Sequence, residues 1–414
     1  MKRSSKKSHW QQIALVQAIV LAAFGLAFAR NSTENEVRLK ELVTHQRSYP
    51  NLPVTRDTAL QVTSLYNDPN LVPDADLAAV LKQVRPEFAP KHLKPNYVEH
   101  ALRIWGVNAK FNDPKILSGK QLEDFLLDHG KYIASWSTDI PPLLEEESDG
   151  VGVRWGSAEC ASVHHDHLLA CLSEAGINRN QRVFTPSRHV RTFNDVLQLS
   201  IRDLQVDERE TEWSALAYAL WLPPFSHWKN REGREISFDL LAERLIRGKQ
   251  TIGVCHGTHR VYTLVVLLRL DDQFKILCPC TRDKIRTHLF KVRQELIESQ
   301  FADGHWPSNW PNGKDALKTD EYEELFRKVI ATGHHLEWMA LAPQEFHPPR
   351  EQVEKAVRWV VKTTTEQPTE KILERYTFYS HVGGALALWR QTHPATFWQK
   401  WESTTTDSHA RADH

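Results

Sequence analysis

From about residue 157 onward, the apolar positions alternate between two kinds of helix. Segments starting near 158, 212, 254, 334 and 379 are apolar nearly all round, while 193–204, 238–247, 283–301 and 351–363 carry a single apolar stripe on a polar body. A helix apolar on every side must be enclosed by protein, whereas a one-faced helix can serve as an outer wall. The predicted fold class is therefore all-α: inner and outer helices joined by short loops close into an α/α toroid whose inner helices run parallel. An open α-solenoid is the alternative, and it calls for more uniform repeat lengths than these. Gly176, Pro223-Pro224 and Pro343 punctuate the series as helix stops. Upstream, short helices are expected at 74–84 and 95–105, the second opened by Pro95. An amphipathic helix is expected at 121–136 and an acidic solvated turn at 145–149.

The first 29 residues depart from this rhythm. Lys2, Arg3, Lys6 and Lys7 precede the apolar run Ile13–Ala29, broken only by Gln17 and closing on Ala27-Phe28-Ala29. That order of charge, apolar run and small-x-small site is the pattern of an export signal, cleaved or retained as a membrane-spanning anchor. Residues 1–29 are read as signal or anchor, 30–70 as a tether and irregular segment, 71–400 as the toroid domain and 401–414 as a disordered tail. The bulk of the chain is then expected outside the cytoplasm, with the membrane a partner through the N-terminal segment if it is uncleaved.

Charge adds an exclusion. Lys plus Arg and Asp plus Glu stand at 52 each, so nothing supports a nucleic-acid partner held by bulk charge. The 5 cysteines are too few and too irregular for a disulfide framework. The 21 histidines are the unusual feature. His165, His256, His259, His334 and His381 fall near the expected starts of apolar helices, which parallel packing would gather at one rim. Neutral imidazole serves both metal ligation and general-base work. With Asp166 and Glu337 as carboxylates, these residues form the candidate catalytic set. Tyr262, Glu212, Trp306 and Trp310 are the candidate substrate contacts, the tryptophans by stacking on a ligand. Cys255, His256 and His259 form a local thiol and imidazole cluster suited to zinc, with His165, His334 or His381 completing it. The simpler reading of each is a cap or a satisfied core residue.

Three motifs carry resemblances. Gln300-Phe-Ala-Asp-Gly-His-Trp306 resembles the Gln-Trp repeat of squalene and terpenoid cyclases, whose superfamily of α/α toroids also holds the prenyltransferase β-subunits. In those cyclases the motif ties an outer helix to the following loop. Cys255-His256-Gly257 is similar to the adjacent Cys-His zinc ligands of lanthionine cyclases. Gly333-His-His-Leu-Glu-Trp338 resembles the Gly-His-x-x-Glu-Trp of sugar 2-epimerases, in which histidines move protons. All three imply the toroid. Two functions follow as expectations: an enzyme acting on an isoprenoid or carbohydrate at a His-lined cavity, or a non-catalytic toroid that binds a small molecule, glycan or protein there.

Overall fold

The computed structural model describes residues 5–30, 52–187, 189–248, 255–318 and 323–412. Helix α1 (Ser5–Arg30) comes first and exposes Ile13, Leu15, Leu21 and Leu26. Among the described residues, no helix is long and apolar enough to cross a membrane. This overturns the transmembrane reading of the N-terminal segment. The run Ile13–Ala29 is interrupted at Gln17 and flanked by Gln11, Gln12 and Arg30, short of the roughly 20 apolar residues a span requires.

The rest is mostly helical, with three two-stranded hairpins among the described residues. The helices that follow are α2 (Asp74–Gln83), α3 (Pro95–Trp105), α4 (Gly119–Leu127), α5 (His129–Ser135), α6 (His167–Glu174), α7 (Phe193–Asp203), α8 (Thr211–Trp221) and α9 (Phe238–Arg247). After them come α10 (Thr258–Phe274), α11 (Pro279–Ser299), α12 (Leu325–Leu341), α13 (Arg350–Glu366), α14 (Thr369–Glu374), α15 (Tyr376–Trp389) and α16 (Pro394–Ala412). Six of the described helices pack in a closed cycle: α3 on α6, α6 on α8, α8 on α10, α10 on α12, α12 on α15, and α15 back on α3. Their burial explains the pattern in the sequence, since every residue of α8 is buried. One-faced helices lie outside, α9 against α8 and α10, and α13 against α12 and α15.

The segment 52–68, expected to be irregular, crosses the C-terminal ends of the inner helices as a strap. The amides of Arg56, Leu60, Leu65 and Asp68 donate to the carbonyls of Trp221, Leu220, Ala340 and Trp389 at 2.9–3.1 Å. Gln61 Nε2 donates to Ser173 O at 3.2 Å, and Arg269 on α10 bridges Thr63 O and Leu341 O. The last carbonyls of a helix have no partner within it, and here the strap supplies several. Val107, just past α3, donates to Ala175 O just past α6. These contacts place the C-termini of all six inner helices at one end of the ring.

Several expected boundaries move. The acidic turn 145–149 is a hairpin, with β1 (Leu144–Glu147) antiparallel to β2 (Gly150–Val153). The helix expected from Ser157 begins only at His167, because Asp166 takes a left-handed conformation (φ 55°) that a helix cannot contain. Residues 121–136 divide into α4 and α5, the side chain of Asp128 capping the second. The helix expected to start near 334 begins at Leu325 and runs to Leu341 as α12. The tail expected over 401–414 is helical as far as Ala412.

At the end of α11, Gln300 Nε2 donates to Gly304 O (2.9 Å) and to Gln352 O on α13 (2.7 Å), and Trp306 Nε1 donates to Leu296 O (3.0 Å). Trp359 Nε1 on α13 donates to Asp303. Gly304 has φ 111°, and a Cβ there would come within 2.4 Å of Lys355 O, so only glycine fits this junction. The segment 300–306 therefore ties the outer helix α11 to its loop and to α13.

Candidate functional site

A cavity of about 290 Å³ lies inside the ring beneath the strap. Its polar edge includes Gln61 and Ser64 of the strap with Gln391 and His393; Ile104, Leu220, Val266 and Leu388 line its sides. A charged cluster made of Arg103, Glu174, Tyr262, Glu337 and His381, with His100 beside it, forms its inner end.

Each member of the cluster comes from a different inner helix or a different turn of one. Arg103 on α3 is the hub: Nε donates to Glu174 at 2.6 Å, and Nη1 lies 3.1 Å from Glu337 Oε1. The Tyr262 hydroxyl donates to the other oxygen of Glu174, and its ring lies under the guanidinium, 4.9 Å from ring centroid to Cζ. Burial opposes the charge on Arg103, yet Glu174 and Glu337 outweigh it and hold its pKa well above the usual range. Burial likewise pushes Glu337 up, but Arg103 and the hydrogen bonds from the histidines hold that carboxyl well below its ordinary value. Glu337 is an anion in this interior.

Glu337 also organises the imidazoles. Its Oε2 lies 3.1 Å from Nδ1 of His334 and 3.2 Å from Nδ1 of His381. Arg103 Nη1 also reaches His381 Nδ1, at 3.0 Å. A guanidinium only donates and a carboxylate only accepts, so the proton on Nδ1 decides between them. Two tautomers fit: Nη1 has two hydrogens and can donate to both Glu337 Oε1 and Nδ1 of His381, or Nδ1 of His381 carries the proton and donates to Glu337 Oε2, which leaves its Nε2 a free base. The Nε2 atoms of His259, His334 and His381 are buried without a hydrogen-bond partner. Burial, reinforced by neighbouring imidazoles or Arg103, pushes all three below the usual imidazole range. The rings form a compact group: centroids are 3.7 Å apart for His334 and His381, and 4.3 Å for His259 and His334. Cys255, in the turn before α10, brings a thiol to the same place. One ligand atom each of Cys255, His259 and His334 lies within 4.8 Å of the others, and the same holds for His334, Glu337 and His381.

A second buried pair sits alongside. Glu99 on α3 hydrogen-bonds Nδ1 of His167 on α6; burial raises Glu99 to about 8 and lowers His167 well below its normal range, so the pair is neutral. The His100 ring lies between those of His167 and His381, tilted to the first and edge-on to the second, with centroids 4.8 and 5.1 Å away.

Of the residues singled out from sequence, the structure brings together His259, His334, His381, Glu337, Cys255 and Tyr262. The others lie elsewhere. His256 follows Cys255 in a left-handed conformation (φ 48°) and joins neither group of candidate ligands, because α10 begins only at Thr258. The adjacent Cys-His pair is thus not what converges; the residue one helical turn on, His259, takes that place. His165 pairs with Glu208 at 2.9 Å and, with Asp166 the main cause, is raised to about 9. Asp166 accepts from Ser200 and Ser214 at 2.7 and 2.5 Å, a structural anchor between α6, α7 and α8. Glu212 is buried facing Arg260, outside the cavity lining. Trp306 and Trp310 are fully buried with their rings edge-on to His335, at 5.6 and 4.7 Å, and do not reach the cavity.

Sequence reasoning missed Glu99, His100, Arg103 and Glu174. Glu99, His100 and Arg103 interrupt the apolar run of α3; the signal that it is internal was the apolar residue on nearly every remaining position, from Val98 through Ala101 and Leu102 to Ile104 and Trp105. Compared with protein-family models, with curated proteins and with solved structures, the chain matches none.

Proposed function

We propose that the protein is an α/α toroid enzyme that moves a proton on a small molecule held in the cavity beneath the strap. The toroid reading rests on the closed cycle of six inner helices among those described, the shared end of their C-termini, and the tie formed by residues 300–306. The observation that carries the catalytic reading is the pairing of His381 with Glu337 at the inner end of the cavity. A neutral imidazole with Nε2 unpartnered accepts a proton, and an anionic carboxylate on Nδ1 stabilises the imidazolium that results. Arg103 fixes the carboxylate, and Tyr262 and Glu174 fix Arg103. The apolar sides and polar inner end suit a molecule with an apolar body and one polar group. A glycan, polar on every face, suits these walls less well.

The substrate need not be identified in advance to test this. Wild-type protein and Glu337→Gln are each incubated with a metabolite extract, and depleted and newly formed species are followed by mass spectrometry. Removal of a general base or its partner costs about 100-fold or more in rate, so species converted by the wild type should persist with Glu337→Gln. Gly384→Met should block conversion as well, because Gly384 lines the cavity and a Cβ there meets nothing closer than 3.6 Å. Equal conversion by the wild type and both folded variants, or none by any, contradicts the reading.

A further inference from the structure

The catalytic reading uses His381 and Glu337 and leaves Cys255, His259 and His334 without a task. These three come from the turn before α10, from its first turn, and from the middle of α12. They meet inside the ring with exposures of 6, 8 and 2 %. Their ligand atoms lie within 4.8 Å of one another, and the Nε2 atoms of His259 and His334 have no partner. Two buried imidazole nitrogens left unsatisfied beside a buried thiol are costly unless something binds them. The orientation is that of ligands: Glu337 takes Nδ1 of His334 at 3.1 Å, which leaves Nε2 as the lone pair, as carboxylates do behind metal-bound histidines. The charge balance agrees. Arg103 faces two carboxylates, Glu174 and Glu337, so the interior holds one more acidic partner than cationic ones at this hub. Trp213 packs against His259, with centroids 4.2 Å apart, and closes that side with an apolar ring.

We infer that Cys255, His259 and His334 bind a single zinc ion, with Glu337 as the carboxylate behind His334 and the fourth position facing His381. Sulfur with two imidazoles is a donor set suited to zinc. Binding displaces the thiol proton of Cys255 to solvent, and the thiolate charge is then met by the metal. Three protein ligands and one position turned toward a cavity residue describe a site that keeps room for water or substrate. The inference goes beyond the cavity reading and stands or falls separately from it: metal is read by binding, the cavity by turnover.

The test uses the full chain, stripped with chelator and titrated with Zn²⁺ or Co²⁺ alone. Expected are about one equivalent bound, a near-ultraviolet thiolate-to-cobalt band, and loss of that band in Cys255→Ser. His334→Ala should weaken binding at least 100-fold, while His256→Ala should bind as the wild type does, which separates this site from the adjacent Cys-His pair. If Cys255→Ser fails to fold, X-ray absorption at the zinc edge of the wild type decides: one sulfur at about 2.3 Å and two or three nitrogens at about 2.0–2.1 Å are expected. No saturable binding, a shell without sulfur, copper or iron retained in preference to zinc, or loss of binding in His256→Ala would overturn the assignment.

Discussion

Arg103→Met is expected to destabilise the protein by roughly 3–5 kcal/mol, the cost of leaving buried charges without their partner. The guanidinium is 8 % exposed and pairs with Glu174 and Glu337, themselves 15 and 7 % exposed. Methionine fills much of the same volume but leaves two carboxylates facing each other across it. Chemical denaturation of the variant measures the loss. The mechanism makes a second demand: adding Glu337→Gln to Arg103→Met should recover part of the stability, because one of the stranded charges goes. In the wild-type background, Glu337→Gln should be destabilising on its own. That reversal of sign is a coupling which a double-mutant cycle isolates. A cost below about 1 kcal/mol would place Arg103 outside the group of buried ion pairs.

The second large effect is acid lability of the metal-free protein. His100, His167, His259, His334, His335 and His381 are buried, and burial holds each below its ordinary value of 6.5. Below about pH 6.5 the unfolded chain protonates these side chains while the folded protein does not, so unfolding takes up protons and stability falls with falling pH. Glu99, raised to about 8, works in the opposite direction, since folded protein keeps a proton there that the unfolded chain releases above about pH 4.5. It offsets one histidine. His165, raised to about 9, is protonated in both states below 6.5 and drops out. Each uncompensated histidine contributes about 1.4 kcal/mol per pH unit, and the slope between pH 6.5 and 5 should correspond to several protons. Below pH 4.5 Glu337 adds to the loss, because a carboxyl held low in the folded state stabilises it only while ionised. Thermal unfolding in chelator across this range provides the check. A melting temperature unchanged from pH 7 to 5 would show that the imidazoles are not held neutral in the ring.

Burial on all sides is what made the inner helices legible. Residues 212–222 read as enclosed, and α8 is buried from Thr211 to Trp221. Helix α3 was legible only as a short helix opened by Pro95, because Glu99, His100 and Arg103 interrupt its apolar run; they are buried because partners on α6, α12 and α15 reach them, and no spacing within one helix encodes those partners. The start expected near 334 fell short of the true start of α12 at Leu325; Gly333 sits inside this helix, where a Cβ would come 3.3 Å from Val382, so its smallness lets α15 approach. The strap carries no periodicity because its hydrogen bonds go to helix ends distant in sequence. His259, His334 and His381 were recognisable as chemistry; their common carboxylate and the displacement of His256 depended on where α10 and α12 begin.

The proposed function depends on six helices closing a ring whose interior is the site. A crystal structure of the full chain purified without chelator decides this. The expected result is α15 packed against α3, the strap over the helix C-termini, and Arg103, Glu337 and His381 facing an enclosed cavity. Solvent between α15 and α3, with Arg103 turned out to the surface, would contradict it.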